Sequence, residues 1–320
     1  MDKDFDHKID RASDIHLVFD VPRVPEFPKI RELAEAFAGH VERWQSLGEL
    51  PMMMSYWASQ FSSARTVARL ACKADPYRHD RDNEESFKKA YVHELRILDE
   101  RKRMIADKEA GTKQARELGF GFTKLLLDAS RKSNISEVSG GFHALMYALV
   151  TTGYAAFETF VGDLWVAALD TDHKIGEKYL GSLKSQGKEH RLDVRGNVGV
   201  LASSMGTAIR RQGMVAFTGL DEIREAYSNA FGQEAKALFT NSDLMLAAQC
   251  RHLIAHRSGL VDEKFQNKTK SSELFKGVRL GEQLMLDGDQ VKTLSVACFA
   301  TAGDTLKFVV AQLPDTGGAE

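Results

Sequence analysis

Apolar residues recur at three- and four-residue steps over most of the chain, the spacing that lines one face of a helix. The first such run begins near residue 29, with Ile30, Leu33, Phe37, Val41 and Trp44 on one side, and Gly48 and Pro51 are expected to end it. A second helix is predicted from about residue 53, carrying Trp57, Phe61, Ala64, Ala68 and Leu70, and stopping before Pro76. A charged helix over 84–110 follows, with Phe87, Tyr91, Leu95 and Leu98 as a narrow stripe, and then another over 112–131.

The polar stretch 132–139 reads as a boundary. Beyond it lies the longest apolar helix, 141–169, then a polar connection over 179–194 and weak helical patterning over 198–211. Leu220 opens a helix with Ile223, Tyr227 and Phe231 on one side and Gly232 at its end. Asn241 supplies a cap for a helix running to Arg257, with Gly259 just past its C-terminus. Residues 278–286 alternate enough to suggest a small β-hairpin or extended arm, and a last helix covers 289–312. The fold class is therefore all-α: an antiparallel helical bundle over 136–313, an added N-terminal helical region over 29–135, a lead-in over 1–28 and a tail over 314–320.

Composition narrows the chemistry. Of 320 residues, 43 are Lys or Arg and 45 are Asp or Glu, so no global excess of positive charge is present for holding nucleic acid. Any such activity has to rest on a local cleft. The three cysteines, Cys72, Cys250 and Cys298, are far apart, which disfavours a disulfide framework or a cysteine zinc site. The polar start and the lack of an eighteen-residue apolar run lead to the expectation of a cytoplasmic protein without a membrane span.

One stretch concentrates polar chemistry at the end of an apolar helix: Arg251-His252-Leu253-Ile254-Ala255-His256-Arg257. His252 and His256 share a helical face, whereas Arg251 and His256 lie about 140° apart on an ideal helix. These two converge on one cleft if the helix distorts near its end or if a second subunit completes the site. The residue-level alternatives are structural: Arg251 in a salt bridge within the bundle, His256 as a C-terminal cap favoured by the helix dipole, and His252 as a peripheral side chain. A zinc site on the two histidines lacks obvious further ligands, and no cofactor is expected. Cys250 reads as a small core residue despite its cationic neighbour. Gly119-Phe120-Gly121 lacks the preceding strand that a phosphate-binding loop needs.

This Arg-x4-His pattern, followed by Ser258-Gly259-Leu260-Val261-Asp262, resembles the signature of the HEPN superfamily. The segment from Ala156 to Leu164, containing Glu158, is similar to the first bundle helix of its RiboL-PSP-HEPN subgroup. The resemblance covers about 139–313 and leaves the first 135 residues unexplained. It implies an endoribonuclease that needs no metal or other cofactor, acting as a toxin or defence effector. The 2′-hydroxyl of RNA attacks the adjacent phosphorus and leaves a 2′,3′-cyclic phosphate. His256 is then the acid/base group, Arg251 the phosphate clamp, and His252 a substrate contact or second proton relay. Glu158 orients Arg251 or His256, or serves only as a buried ion-pair partner. RNA, a second copy of the chain joined through the bundle, and an antitoxin or regulatory protein are the implied partners. The alternative within the same resemblance is a non-catalytic scaffold for dimerisation or for RNA or nucleotide binding. A third reading makes Trp57 and Met52-Met53-Met54 a docking surface, although burial of those residues in an ordinary core is the expectation.

Overall fold

The computed structural model describes residues 27–76, 78, 80, 82–106, 136–187 and 204–314, and the regular elements among these are all helices, with no strand. The expected helix over 112–131, most of the lead-in and nearly all of the tail lie outside the described residues.

The first helix, α1 (Pro28–Ala71), is one continuous element of 44 residues, with Pro51 inside it. The expected break at Gly48 and Pro51 is therefore absent. Proline lacks the N–H that would reach the carbonyl of Leu47, but the loss of one hydrogen bond is local and the helix continues on both sides of it. The chain falls into two compact units, and their border runs through this helix. Residues 14–47 group with 143–320, while 48–142 form most of the other unit.

The smaller unit holds the second half of α1 and α2 (Glu85–Ala106). Ala64, Ala68 and Phe87 are buried there. Arg69 grips Asp82 bidentately, at 2.8 and 2.6 Å, and donates to the Pro76 carbonyl, which fixes the turn between the helices. Contrary to expectation, Met53 and Met54 are exposed, the latter at 63%, together with Leu50 and Phe61.

The larger unit is built around α3 (Ser136–Thr171), whose face carries Leu149, Phe157, Val161, Leu164, Trp165 and Leu169, each without exposed surface. The first half of α1 packs here: Phe37 stacks on Phe160 at 4.4 Å, and Trp44 donates to the Leu149 carbonyl. The segment 179–194, expected as a polar connection, is in part helix. In α4 (His173–Ser185), Asp172 caps the start, and Ile175, Tyr179 and Leu183, four residues apart, make a buried stripe. Next come α5 (Met205–Arg211), α6 (Leu220–Phe231) and the single turn α7 (Gln233–Ala237). Gly219 and Gly232 bound α6 as its sequence indicates. The Tyr227 hydroxyl and the Trp165 indole tie α6 to α3 through the carbonyls of Val161 and Ala226.

Helix α8 (Ser242–Arg257) is followed by α9 (Glu263–Thr269), a 3-10 turn over Glu273–Phe275, and α10 (Gly288–Gln312), which opens with a capping box between Asp287 and Gln290. The expected hairpin over 278–286 does not form. That segment instead pairs with the chain just beyond α8, through an isolated antiparallel bridge between Leu260 and Gln283. The amides of Val261 and Leu284 extend it to the carbonyls of Glu282 and Gly259. Both α3 and α10 are long and apolar enough, by length and composition, to cross a membrane; about half of each such stretch is buried within the protein.

Candidate functional site

Helix α8 sets the register of the site. Asn241 accepts from the amides of Asp243 and Leu244, so the helix starts where the sequence predicts. Its apolar side, with Leu244, Ala247, Cys250 and Leu253, is buried. That leaves Arg251, His252 and His256 on the accessible side. Helical geometry continues through Arg257 and ends in a left-handed Ser258, with φ 52°. There is thus no distortion before His256, and about 140° of rotation separates it from Arg251. His252 stands between them in rotation, about 100° from Arg251 and 40° from His256.

The far end of α8 is pinned. Tyr147 of α3 donates to the Leu284 carbonyl, while the Gln283 side-chain amide donates both to the Tyr147 hydroxyl and to the Ser258 carbonyl. Gly259 has φ 82°, and a Cβ there would collide with the Tyr147 hydroxyl. Glycine is required at this position by both backbone angle and space.

A cavity of about 890 Å³ lies along α8, between α6 on one side and α9 with the following 3-10 turn on the other. Arg251, His252 and Glu158 all line it. His256 does not; it is exposed one turn further on, its ring centroid 4.6 Å from that of His252. Neither Arg251 nor His256 is sealed in the interior: Arg251 keeps 30% of its side-chain surface, and His256 is exposed.

Glu158 is 11% exposed and meets Arg251 at 3.6 Å through Oε2, while its buried Oε1 has no hydrogen-bond partner among the described residues. Burial pushes the Glu158 carboxyl above the ordinary carboxylate range, with Arg251 opposing the rise and Glu222 adding to it. Tyr154, one turn earlier on α3, also lines the cavity and is 2% exposed, and its buried hydroxyl has no hydrogen-bond partner among the described residues. Burial, and then the nearby Glu158, raise the pKa of that phenol, which holds it neutral. For His252, burial and then the positive charges of Lys264 and His256 lower the pKa, so its imidazole is neutral near pH 7.

Sequence reasoning passed over Tyr154, Lys264 and the cavity face of Lys268. Lys264 and Lys268 are one turn apart on α9, and both line the cavity. Lys268 belongs to the short basic run Lys268-Thr269-Lys270, which nothing in the pattern alone distinguishes from solvated surface. In the basic pair Arg210-Arg211, Arg210 is bound to Asp163 at 2.5 Å. Among the described residues no group of three or more His, Cys, Asp or Glu side chains is placed to hold a metal ion. Cys250 and Cys298 are buried thiols, and desolvation pushes both far up from the ordinary thiol value.

No protein-family model, curated protein or solved structure matches the chain. The functional reading therefore rests on the site residues themselves.

Proposed function

We propose that this chain is a metal-independent endoribonuclease of the HEPN type. The observation that carries the reading is the grouping on α8: Arg251 and His252 open side by side onto one cavity, and His252 lies against the exposed His256. A guanidinium and two imidazoles are the functional groups that transesterification of RNA requires. Arg251 holds the non-bridging phosphate oxygens and offsets the charge that gathers on the phosphorane. His252, neutral near pH 7, takes the proton of the 2′-hydroxyl as its oxygen attacks phosphorus. His256 gives a proton to the 5′-oxygen as the P–O5′ bond breaks, leaving a 2′,3′-cyclic phosphate and a free 5′-hydroxyl.

Because His256 lies outside the cavity lining, this reading includes a second copy of the chain approaching the end of α8 to close the site. A toxin or defence role in the cytoplasm, restrained by an antitoxin or regulatory protein, follows from the same proposal.

The test is cleavage of mixed RNA by the purified full chain in EDTA. The wild type is expected to cut, and His256→Ala to abolish cutting while leaving the far-UV CD spectrum unchanged. Cleavage that persists in this variant removes His256 from the mechanism. One observation favours a second reading. The ion pair with Glu158 engages Arg251 within its own bundle, as a non-catalytic RNA- or nucleotide-binding scaffold would have it. A wild-type chain that binds RNA and never cuts it establishes that alternative.

A further inference from the structure

His252 and His256 bring a second chemistry to the end of α8. Of the 10 histidines in the chain, no other two lie within eight residues of each other in sequence. Four residues apart on an unbroken helix, these two share one face. Their ring centroids are 4.6 Å apart, and neither ring is engaged by a hydrogen bond or an ion pair among the described residues. His256 is exposed and His252 half-buried, so both rings are reachable from solvent. A metal ion held by two imidazoles sits about 2.0–2.1 Å from each ligating nitrogen, and so about 3.2 Å from each ring centroid. Ligands at a right angle then place the centroids about 4.5 Å apart, and ligands at a tetrahedral angle about 5.2 Å. The observed separation matches the first value.

The helix holds the pair in that relation. Helical geometry in α8 runs to Arg257, and the Gln283 amide fastens the Ser258 carbonyl just beyond. The negative end of the helix dipole lies at this last turn and favours a cation there. Among the charges that act on His252, Asp262 also favours a cation, while Lys264 and Arg251 oppose one. We infer that His252 and His256 form a two-point chelate for a divalent transition-metal ion of the Ni²⁺ or Cu²⁺ class, and that its occupancy silences the site. No third His, Cys, Asp or Glu side chain among the described residues joins the pair, so water fills the remaining positions around the ion. The chelate stands on geometry, whereas the silencing rests on the nuclease reading. An imidazole nitrogen that gives its lone pair to a metal has none left for a proton. His252 then cannot take the 2′-hydroxyl proton, and His256 cannot deliver one to the 5′-oxygen. The ion is an inhibitor and takes no part in cleavage.

The experiment uses the full-length chain without a histidine tag. Ni²⁺ is titrated in by calorimetry, in a buffer that does not bind it. One ion per chain is expected at the pair. His252→Ala and His256→Ala should each weaken that binding by at least about tenfold, as the loss of one arm of a chelate does. The double variant His256→Ala with Arg257→His keeps the number of histidines but turns the second ring off the shared face. It should bind as weakly as His256→Ala. The three side chains changed here are not buried, so the variants are expected to keep the wild-type CD spectrum and melting curve. Ni²⁺ should then stop wild-type RNA cleavage with a midpoint near the calorimetric dissociation constant, and excess EDTA should restore it. Mg²⁺, which prefers oxygen ligands, should leave cleavage untouched.

Wild-type binding no tighter than that of the single variants overturns the chelate, as does full binding by the chain with the displaced histidine. Undiminished cleavage with the pair saturated by Ni²⁺ overturns the silencing. The two proposals fail separately. Pair-dependent Ni²⁺ binding by a chain that never cuts RNA sinks the nuclease reading and keeps the chelate. Cleavage in EDTA by a chain without pair-dependent binding sinks the chelate and keeps the nuclease.

Discussion

Arg251 of α8 meets Glu158 of α3 at 3.6 Å through one carboxylate oxygen, and the other oxygen of that carboxylate is buried with no hydrogen-bond partner among the described residues. The contact is longer than a charge-assisted hydrogen bond, and the arginine retains contact with solvent. It positions the guanidinium at the mouth of the cavity without consuming its donors.

Glu158 therefore stabilises the fold weakly or not at all at neutral pH. Burial holds its carboxyl above the ordinary range, so the folded chain binds that proton more tightly than the unfolded chain. The resulting stability is present at low pH and is lost as pH rises through the shifted value. Glu158→Gln should gain on the wild type in thermal midpoint as pH rises above the ordinary carboxylate range. A variant that loses ground over that range would show the carboxylate to be a net stabiliser.

Arg251→Ala is expected to separate function from folding. A partly exposed pair at this distance contributes no more than about 1 kcal/mol, so chemical denaturation should shift little. RNA cleavage should fall by about a hundredfold or more, since the charge on the phosphorane loses its partner. A large loss of stability with cleavage intact would assign Arg251 to the bundle alone.

The ring of His252 should titrate below the ordinary histidine value, because burial and the positive charges of Lys264 and His256 both disfavour the imidazolium. The pH dependence of its NMR ring signals measures this directly. Lys264→Gln should move the midpoint upward, by removing one of the opposing charges. A midpoint already at or above the ordinary value in the wild type would contradict the described surroundings.

Helix positions in the larger unit were legible from apolar spacing and caps. Asn241, Gly219 and Gly232 mark boundaries that the structure keeps. Pro51 misled, because one missing hydrogen bond does not by itself end a helix of 44 residues. Tyr179 and Leu183 were hidden among polar residues; their stripe becomes readable only when α6 is there to cover it. The alternation in 278–286 signalled extended backbone correctly, yet its partner was the chain after α8 and not itself. Sequence located Arg251, His252, His256 and Glu158, and the structure gathers three of them at one cavity. Tyr154 and Lys264 carry no local signal, because what singles them out is the neighbour across the cavity.

Gly259 tests the anchoring of that end. Gly259→Ala combines a strained backbone at positive φ with a collision against the Tyr147 hydroxyl. It should cost about 1–3 kcal/mol in urea unfolding, well above an ordinary surface change. Tyr147→Phe in the same background should recover part of the loss by making room. No recovery would mean that backbone strain alone accounts for it.

The clasp of Tyr147, Ser258 and Gln283 also sets when the end of α8 can be fastened during synthesis of the chain. Arg251, His252 and His256 leave the ribosome before Gln283 and Leu284 do, so a nascent chain carries all three side chains while the end of α8 is still untethered. A chain that halts before residue 283 keeps every chemical group of the site but lacks the residues that hold its last turn in place. The last turn of α8 is thereby fastened only after translation has passed residue 283.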